Sequence, residues 1–499
     1  MMKKRSKKIL SQIQANIVKP HGRHHCWYLF FHFPKSEESY QPIRKAIVGF
    51  SSRLTSGLVQ VEEALKRKEY DVEGQVVTCL FFSEYGLEKI VPESHLIKNL
   101  KHDITVPFKS AYPIDSFKDS KEELNLIKEK MGLRSERDPN WEAHHEDSNS
   151  RIDMVVMIAD NHLETLTKYG DFVITYFKTV GTIQHLFTEK GKAIKRGDAC
   201  YEPFGFRDGL SKIPFWEKKN EKLNYKALSI VLDSDLGSGV TFHKYRQDVA
   251  KFYEAINKIT YELFFEGEPL LNRQAEFFER REYILAQFMG RFRDGTPLLY
   301  FDRPVMHTLE YDEHKKKLIE NFNVYPLENP EDGGFLKDDK SGSKCPFFAH
   351  IRQSNPRDHL RDLQEYCGGV TELRIARRGI PFEEVMVNEE GKVEITQGLY
   401  FMSYQSKRCQ FEDIEKWRKT ITAEVPRMEP AIDPFVGRSM ASSVKHSFDI
   451  LKNWGSSEKE DKQTVELDIS EFIKKRGEEY FYAPSLDWIK NLLHNHGKD

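Results

Sequence analysis

One histidine in the second half of the chain has surroundings that suit a metal ligand. His350 lies in the segment KCPFFAHIRQSNPRD, between an apolar run and a charged stretch that contains a proline. A neutral imidazole binds a metal through one nitrogen while the other donates a hydrogen bond, and haem needs only one such ligand because the porphyrin supplies four. A histidine beside apolar residues is more often simply packed against them. The segment therefore leaves two interpretations open, a packed side chain and an axial ligand of haem.

Two adjacent arginines follow in the segment TELRIARRGIPF. If this segment is a strand, Arg377 shares one face with Leu373 and Ile375, whereas Arg378 lies on the opposite face and can reach water. A guanidinium on an inward face is costly unless it meets an anion or a polar ligand. The alternation therefore predicts an inward-facing Arg377, which either binds a ligand or forms a buried structural ion pair.

A third segment, EPFGFRDGLSKIPFW, places an acid among glycines and aromatic residues. Gly205 and Gly209 allow sharp turns on either side of Asp208 and a close approach of the backbone to a flat ligand. The aromatic neighbours would withdraw the Asp208 carboxyl from water, so that it could take up and return a proton near neutral pH. An ordinary Asp-Gly turn is the alternative interpretation.

The overall composition excludes several classes of protein. Lys and Arg total 76 against 78 for Asp and Glu, a net charge of -2, so nucleic acid is not expected as the main partner. The longest apolar runs, such as Cys26–Phe33, are strand-sized, and no membrane segment is expected. The six cysteines lack CxxC spacing and indicate reduced thiols. The start MMKKRSKKILSQIQ lacks the apolar core of a secretory signal, so we expect a cytoplasmic protein.

Strand and helix patterns alternate through the first half of the chain. A strand-like run HHCWYLFFHF, a helical stretch over Pro42–Lys66 and a strand over Gln75–Phe82 predict a β-α-β opening. A second cycle begins with a strand over Met154–Ile158 and a helix that ends at Tyr169, with Asn161 and Glu164 as its capping box. Two further strands are predicted, over Phe172–Phe177 and Thr179–Phe187.

The second half repeats the mixture less regularly. We predict a strand over Ala227–Leu232, helices over Val249–Phe264 and Phe277–Phe288, and a hairpin that turns at Glu389-Glu390-Gly391. The simplest account is an α+β fold with two ferredoxin-like domains, each an antiparallel sheet with flanking helices. We place the Asp208 motif near the end of the first domain, 1–225, and assign 226–499 to the second.

Six segments, in the same order along the chain, resemble the dye-decolorizing peroxidases. They are IQANIVKPHGR near the start, GFRDG at 205–209, GRFRDGTPL at 290–298, CPFFAHIRQSNPR at 345–357, RRGIPF at 377–382, and GLYFMSYQ with QFEDIEKW at 398–417. The combination of GxxDG with CPxxAHIRxxNPR is highly specific. The long chain and the opening motif look like the larger intracellular subgroup of that family.

The resemblance implies a haem-dependent peroxidase that uses hydrogen peroxide to oxidise dyes, phenols or similar aromatic reductants by one-electron steps. It implies haem b, bound mainly by the C-terminal domain. Matched residue by residue, it makes His350 the axial ligand, Asp208 the distal acid-base group and Arg377 the distal cation, with Gly205 and Gly209 beside the cofactor.

Two more residues are assigned to the cofactor site. In the family an acid usually hydrogen-bonds the far nitrogen of the proximal histidine, and Glu412 is the candidate, with Asp413 as the alternative. Arg291 is expected to pair with a haem propionate, on grounds of charge alone.

Two competing interpretations and one open question remain at this point. The protein could bind haem for transport, storage or iron release with little turnover. It could instead be a non-haem α+β protein whose histidines serve structure, or one whose metal site is the cluster His144, His145, Glu146 and Asp147, although adjacent residues rarely converge on one ion. The sequence leaves open whether the protein is a monomer or a homodimer.

Overall fold

The described part of the main chain forms one large sheet, three small two-stranded sheets and helices that cover the large sheet. The computed structural model describes residues 2–34, 40–70, 74–91, 151–210, 213–218, 222–267, 269–306, 339, 341–354, 374–387, 393–419, 431–437, 445–456 and 458–494. The helices within these ranges are α1 (Lys4–Gln12), α2 (Gln41–Phe50), α3 (Gly57–Tyr70), α4 (Glu84–Ile90), α5 (Leu163–Gly181), α6 (Tyr225–Leu228), α7 (Val249–Phe264), α8 (Gln274–Met289), α9 (His350–Ser354), α10 (Arg408–Lys419) and α11 (Leu486–Lys490). Single 3-10 turns occur at Ser51–Arg53, Lys459–Asp461 and Ile469–Glu471.

The first half of the chain contributes four strands with the order β4-β1-β3-β2 to the large sheet. They are β1 (His25–His32), β2 (Val77–Phe82), β3 (Met154–Asp160) and β4 (Gln184–Lys192). All neighbouring pairs are antiparallel, and this order is that of a ferredoxin-like unit. The alternating residues Trp27, Leu29 and Phe31 pack with side chains of α2 and α5, so the helices cover one face.

The second half contributes strands with the corresponding order β11-β12-β9-β15. They are β9 (Ser238–Gln247), β11 (Ile380–Val387), β12 (Val393–Gln405) and β15 (Ile473–Ala483), and the two-residue β10 (Ala376–Arg377) also pairs with β12. The small sheets are β5 (Ile194–Arg196) with β6 (Ala199–Tyr201), β7 (Trp216–Lys218) with β8 (Lys222–Leu223), and β13 (His446–Leu451) with β14 (Lys462–Leu467). Helices α7 and α8 pack over the outer face of this half.

The two halves join into one nine-stranded sheet that curves round an apolar interior. Strands β2 and β15 meet through Phe82 and Tyr482, and at the other edge β11 lies beside β4. Rings from the two halves face each other inside, with the centroids of Tyr28 and Phe242 4.7 Å apart. The buried ammonium of Lys244 on β9 contacts the Glu189 carboxylate of β4 at 3.0 Å and the Glu384 carboxylate of β11 at 2.8 Å, so an ion-pair network spans the closing edge.

The α+β fold class with two ferredoxin-like units is confirmed, as are the helices over Val249–Phe264 and Phe277–Phe288. The strand predicted over Phe172–Phe177 is wrong, because α5 continues through Gly170 and buries Val173 and Phe177. Gly170 lies within this helix, where a Cβ atom would come 3.3 Å from the ring of Trp27. The capping box is also wrong, since Asn161 accepts from the His24 amide instead.

Two other sequence predictions differ from the structure, one in the type of element and one in where a strand begins. Instead of a strand over Ala227–Leu232, the chain forms the short helix α6, because the Asn224 side chain caps it by accepting from the Ala227 amide at 3.1 Å. The strand predicted over Thr179–Phe187 begins only at Gln184. The turn at 389–391 and the cluster at 144–147 lie outside the described residues. Among the helices that are described, none has both the length and the apolar character that crossing a bilayer requires.

Candidate active site

The segment that carries Asp208 is a compact turn after the β5–β6 hairpin. Gly205 and Gly209 have φ values of +91° and +77°, which glycine adopts without strain, so the predicted sharp turns are present. The Asp208 amide donates to the Cys200 carbonyl at 2.8 Å, and an Asp208 side-chain oxygen, Oδ1, accepts from the Gly209 amide at 2.6 Å. The expectation that aromatic neighbours bury the Asp208 carboxyl is wrong. Phe206 packs into a separate core cluster, and Asp208 is exposed.

Arg377 on β10 contacts the same turn, but it does not face inward as the strand alternation predicted. Ala376 and Arg378 are buried and Arg377 is exposed, so the inward face is the opposite of the predicted one. Arg377 Nη2 donates to the Leu210 carbonyl at 3.1 Å, two residues beyond Asp208. The structure therefore brings together Arg377 and the Asp208 turn.

Arg378 ties this corner to the opening segment of the chain. Its Nε donates to the Asn16 carbonyl at 2.6 Å, Nη1 donates to the Arg377 carbonyl at 2.7 Å, and Nη2 donates to the Ile17 carbonyl. Burial lowers the pKa of the Arg378 guanidinium to about 10, and the charge of Asp208 opposes that shift. A buried Arg378 is thus held by backbone carbonyls that the local sequence pattern could not reveal.

His350 begins helix α9 and pairs with a buried acid. The Nδ1 atom of its ring lies 2.7 Å from Oδ2 of Asp433, whose side chain is fully buried. The other carboxylate oxygen, Oδ1, accepts from the amides of Phe435 and Val436 at 2.9 and 3.2 Å. The ring atom Nε2 lies 3.5 Å from Ser354 Oγ, the outer limit of a hydrogen bond. The carboxylate therefore orients the imidazole through Nδ1.

The acid beside His350 is consequently Asp433, and the assignment of Glu412 to that place is wrong. Glu412 forms an ion pair with Arg408, one turn earlier on α10, so its carboxylate is held on its own helix. The side chain of Asp413 lies outside the described residues. Sequence reasoning missed Asp433 although it precedes a proline within the apolar segment AIDPFVG, a pattern typical of a tight turn.

The loop before His350 is held by a second buried acid. Asp339 accepts from the Cys345 amide at 2.8 Å and pairs with Arg352 at 3.2 Å. Arg352, which is 1% exposed, also donates to the Cys345 carbonyl at 2.6 Å. Gly290, with φ +87°, lies against the other side of the loop, where a side chain would come within 2.4 Å of Ile351. These contacts fix the start of α9.

An aromatic cluster connects the His350 side of the site with the Asp208 turn. The Phe435 ring lies edge-on to the His350 ring at 5.7 Å and 6.2 Å from the Phe206 ring, two residues before Asp208. Arg291 is buried nearby and its Nη1 donates to the Gly295 carbonyl at 2.6 Å, so part of its guanidinium holds its own turn. Its role toward a propionate stays a prediction.

The candidate chemistry comes from the oriented imidazole of His350 and from the turn that carries Asp208 and binds Arg377. No group of three or more His, Cys, Asp or Glu side chains suited to a bare metal ion occurs among the residues that the structure describes. An imidazole with its Nδ1 fixed can ligate a metal that brings its other ligands with it. An exposed carboxylate can move a proton, and a guanidinium can stabilise negative charge on a small ligand.

Comparisons with known proteins point to one family. No family model matches the chain. The multifunctional dye peroxidase DyP2 of Amycolatopsis sp. is 24% identical, with 97% of this chain and 96% of that protein aligned. A DyP-type peroxidase of Anabaena sp. is 23% identical and shares the fold with a TM-score of 0.65 over 97% of this chain and 95% of that one. A dye-decolorizing peroxidase solved in complex with 2,6-dimethoxyphenol is 20% identical, with a TM-score of 0.62 over 96% and 98% of the two chains. The chain is a homologue of the dye-decolorizing peroxidases and has their fold.

Proposed function

We propose that this protein is a haem-dependent peroxidase that uses hydrogen peroxide to oxidise dyes, phenols or similar aromatic reductants. The observation that carries the proposal is the 2.7 Å contact between His350 Nδ1 and the buried Asp433 carboxylate. A carboxylate at one imidazole nitrogen fixes the tautomer and makes the other nitrogen a better metal ligand. A histidine packed only for stability would not need a fully buried charge beside it.

The residues present fit haem b as the cofactor. His350 would hold the iron through Nε2, since Nδ1 is engaged by Asp433. Phe206 and Phe435 supply apolar ring surface between the imidazole and the Asp208 turn. Haem, when bound, accepts the oxidising equivalents of hydrogen peroxide and passes them to a reductant one electron at a time. We assign most of its contacts to the second half of the chain, residues 226–499, which contains both His350 and Asp433.

Asp208 and Arg377 are the residues that we assign to peroxide. Because Oδ1 of Asp208 already accepts from the Gly209 amide, Oδ2 is the oxygen that takes a proton from one peroxide oxygen and returns it to the other. Arg377 is anchored by its bond to the Leu210 carbonyl, and its remaining N–H groups stabilise negative charge on the departing oxygen. Gly205 and Gly209 keep the turn free of side chains beside the cofactor.

The reductant and the cellular setting belong to the same proposal. A structural neighbour crystallised with 2,6-dimethoxyphenol supports a phenol as one suitable reductant. Cys26 and Cys79 are buried free thiols, which supports a cytoplasmic protein. We infer that it belongs to the larger intracellular subgroup. Sedimentation of the purified protein distinguishes a monomer from a homodimer.

Purified protein from haem-replete cells is expected to have a Soret band and to react rapidly with hydrogen peroxide. Stopped-flow mixing with one equivalent of peroxide should change the spectrum, and a phenol added afterwards should restore it, because the oxidised site accepts single electrons. A Soret band without a peroxide reaction would instead favour a haem-binding or iron-release protein. Absence of haem would contradict both.

Replacing Asp433 by asparagine is expected to weaken haem binding or peroxide turnover by about 10- to 100-fold, the usual effect of losing an outer-shell carboxylate. The amide can still meet His350 Nδ1 but carries no charge, so the imidazole becomes a weaker ligand. Haem titration of the apoprotein and stopped-flow kinetics measure the two effects. The matched control is Asp449→Asn, an exposed acid on β13 that pairs with Thr464. Equal effects of the two substitutions would remove the role of Asp433.

A further inference from the structure

Glu202 lies six residues before Asp208, and its side chain folds back into the turn that leads to Asp208. Its two carboxylate oxygens accept from the Phe204 amide at 3.0 Å and from the Phe206 amide at 2.9 Å. The backbone of the same residue closes the turn, because its amide donates to the Phe206 carbonyl at 3.0 Å and its carbonyl accepts from the Gly205 amide at 2.8 Å. Glu202 therefore forms hydrogen bonds with four backbone groups of the turn.

The carboxylate is also fixed to the large sheet. Nε2 of Gln247, the last residue of β9, donates to Glu202 at 2.7 Å, and Gln247 is buried. On the far side of the turn, the Tyr253 hydroxyl donates to the Phe204 carbonyl at 2.6 Å and accepts from Arg293 at 3.1 Å. Arg293 is paired with Glu282, so its charge is already matched. The turn is therefore anchored to both β9 and α7.

The position of this turn determines the position of Asp208. Directly after it, Arg207 pairs with Tyr201 across the hairpin, and the Asp208 amide donates to the Cys200 carbonyl at 2.8 Å. We propose that Glu202 is a positioning residue for Asp208, which holds the turn through its ionised carboxylate and so sets where the Asp208 side chain meets its ligand. This inference rests on the peroxidase function proposed above.

The charge of Glu202 makes this role depend on pH. Burial raises the pKa of the Glu202 carboxyl to about 7, the nearby charge of Asp208 raises it further, and the three N–H donors act in the opposite direction. Gln247, which faces it from β9, is uncharged, and Tyr253 and Arg293 contact the Phe204 side of the turn. Protonation turns one acceptor oxygen into a donor and removes at least one of the three bonds. The turn should therefore be tightest above pH 7 and should loosen below it.

Glu202→Gln is the first test, with Glu254→Gln on the exposed face of α7 as its matched control. The Glu202 variant should retain its Soret band but react with peroxide about 10- to 100-fold more slowly at pH 8, the effect of misplacing a reacting group by about 1 Å. The fall in wild-type rate with a midpoint near pH 7 should be absent from this variant. A wild-type rate and pH profile in Glu202→Gln would overturn the proposal.

Amide hydrogen exchange supplies a readout that does not depend on turnover. After correction for intrinsic exchange, the amides of residues 204–208 should gain protection in the wild-type protein as the pH rises through 7, and should stay weakly protected at all pH values in Glu202→Gln. If the wild-type protein does not react with peroxide but shows this change, the peroxidase function fails while the effect of Glu202 on the turn stands. Equal protection in both proteins would overturn the positioning role.

Gln247→Met provides a second variant in case Glu202→Gln does not fold. It removes the donor at 2.7 Å but keeps the carboxylate and most of the side-chain volume. Because this donor favours the ionised form of Glu202, its loss should move the midpoint of the pH profile upward. An unchanged midpoint in a folded, haem-loaded Gln247→Met protein would overturn the proposal.

Discussion

Replacing His350 by alanine is expected to remove most of the haem from the purified protein. We propose this imidazole as the axial ligand of the iron. Alanine has no atom that can bind the iron, and Asp433 then has no ring to orient. We expect haem affinity to fall by more than about 100-fold, beyond the range seen when only an outer-shell partner is lost. The Soret absorbance per protein and a haem titration of the apoprotein measure this change.

His162→Ala is the matched control, since that histidine is exposed at the start of α5, on the first half of the chain. It should retain full haem content. Thermal unfolding of both apoproteins checks that the fold survives the loss of the edge-on contact of His350 with Phe435 and of its polar contacts with Asp433 and Ser354. A His350→Ala protein that binds haem with unchanged affinity and an unchanged Soret position would show that another residue holds the iron.

The second large effect is expected from Asp208→Asn and Arg377→Leu, which should keep haem but react slowly with peroxide. Asparagine cannot take up the proton, and general acid-base catalysis typically contributes about 10²- to 10⁴-fold. Leucine cannot stabilise the departing oxygen, and loss of one such group typically costs about 10²- to 10³-fold. Stopped-flow rate constants for the first spectral change, at equal haem content, measure both effects.

Two exposed residues of the β5–β6 hairpin, Asp198 and Arg196, are suitable controls because they carry the same charges close to the site. Asp198→Asn and Arg196→Leu should leave the rate within about twofold, as surface substitutions usually do. In the double variant of Asp208 and Arg377 the two losses should not add fully if both act on the same peroxide. Wild-type peroxide kinetics in both single variants would remove their assigned roles.

The sequence allowed the α+β fold and the Asp208 turn to be predicted because both depend on local patterns. Alternating apolar residues in β1 and the spacing of α7 are preserved in the structure, and Gly205 and Gly209 occupy backbone conformations that only glycine adopts easily. We predicted that helix α5 ends at Tyr169, but it continues to Gly181, and Gly170 packs within it against the ring of Trp27, which is far away in the sequence.

The arginine pair illustrates a limit of strand alternation. The rule that a buried arginine needs partners is sound, but the partners of Arg378 are the carbonyls of Asn16 and Ile17, more than 360 residues away in the chain. Alternation therefore selected the wrong buried face. Arg377 was assigned to the site by the family resemblance, and it reaches the Asp208 turn from the exposed face of β10.

The partner of His350 could not be found from the motif alone. Glu412 was chosen because it lies within a segment that resembles the family, yet its pairing with Arg408 at the i,i+4 spacing is readable from the sequence and already accounts for its charge. Asp433 lies 83 residues after His350 and joins it only through the fold. A lone acid in an apolar segment before a proline is the signal that could have identified it.

The contact between Phe82 and Tyr482 has a consequence for how the molecule assembles. The four strands of the first half lie within 25–192 and can pair before the rest of the chain takes part, whereas joining β2 to β15 closes a loop of about 400 residues. Contacts between residues so far apart form late, because the chain loses the entropy of closing the loop before the contacts can stabilise it. The apolar interior contains rings from both halves, such as Tyr28 and Phe242, so we expect it to be completed only when the two halves pair.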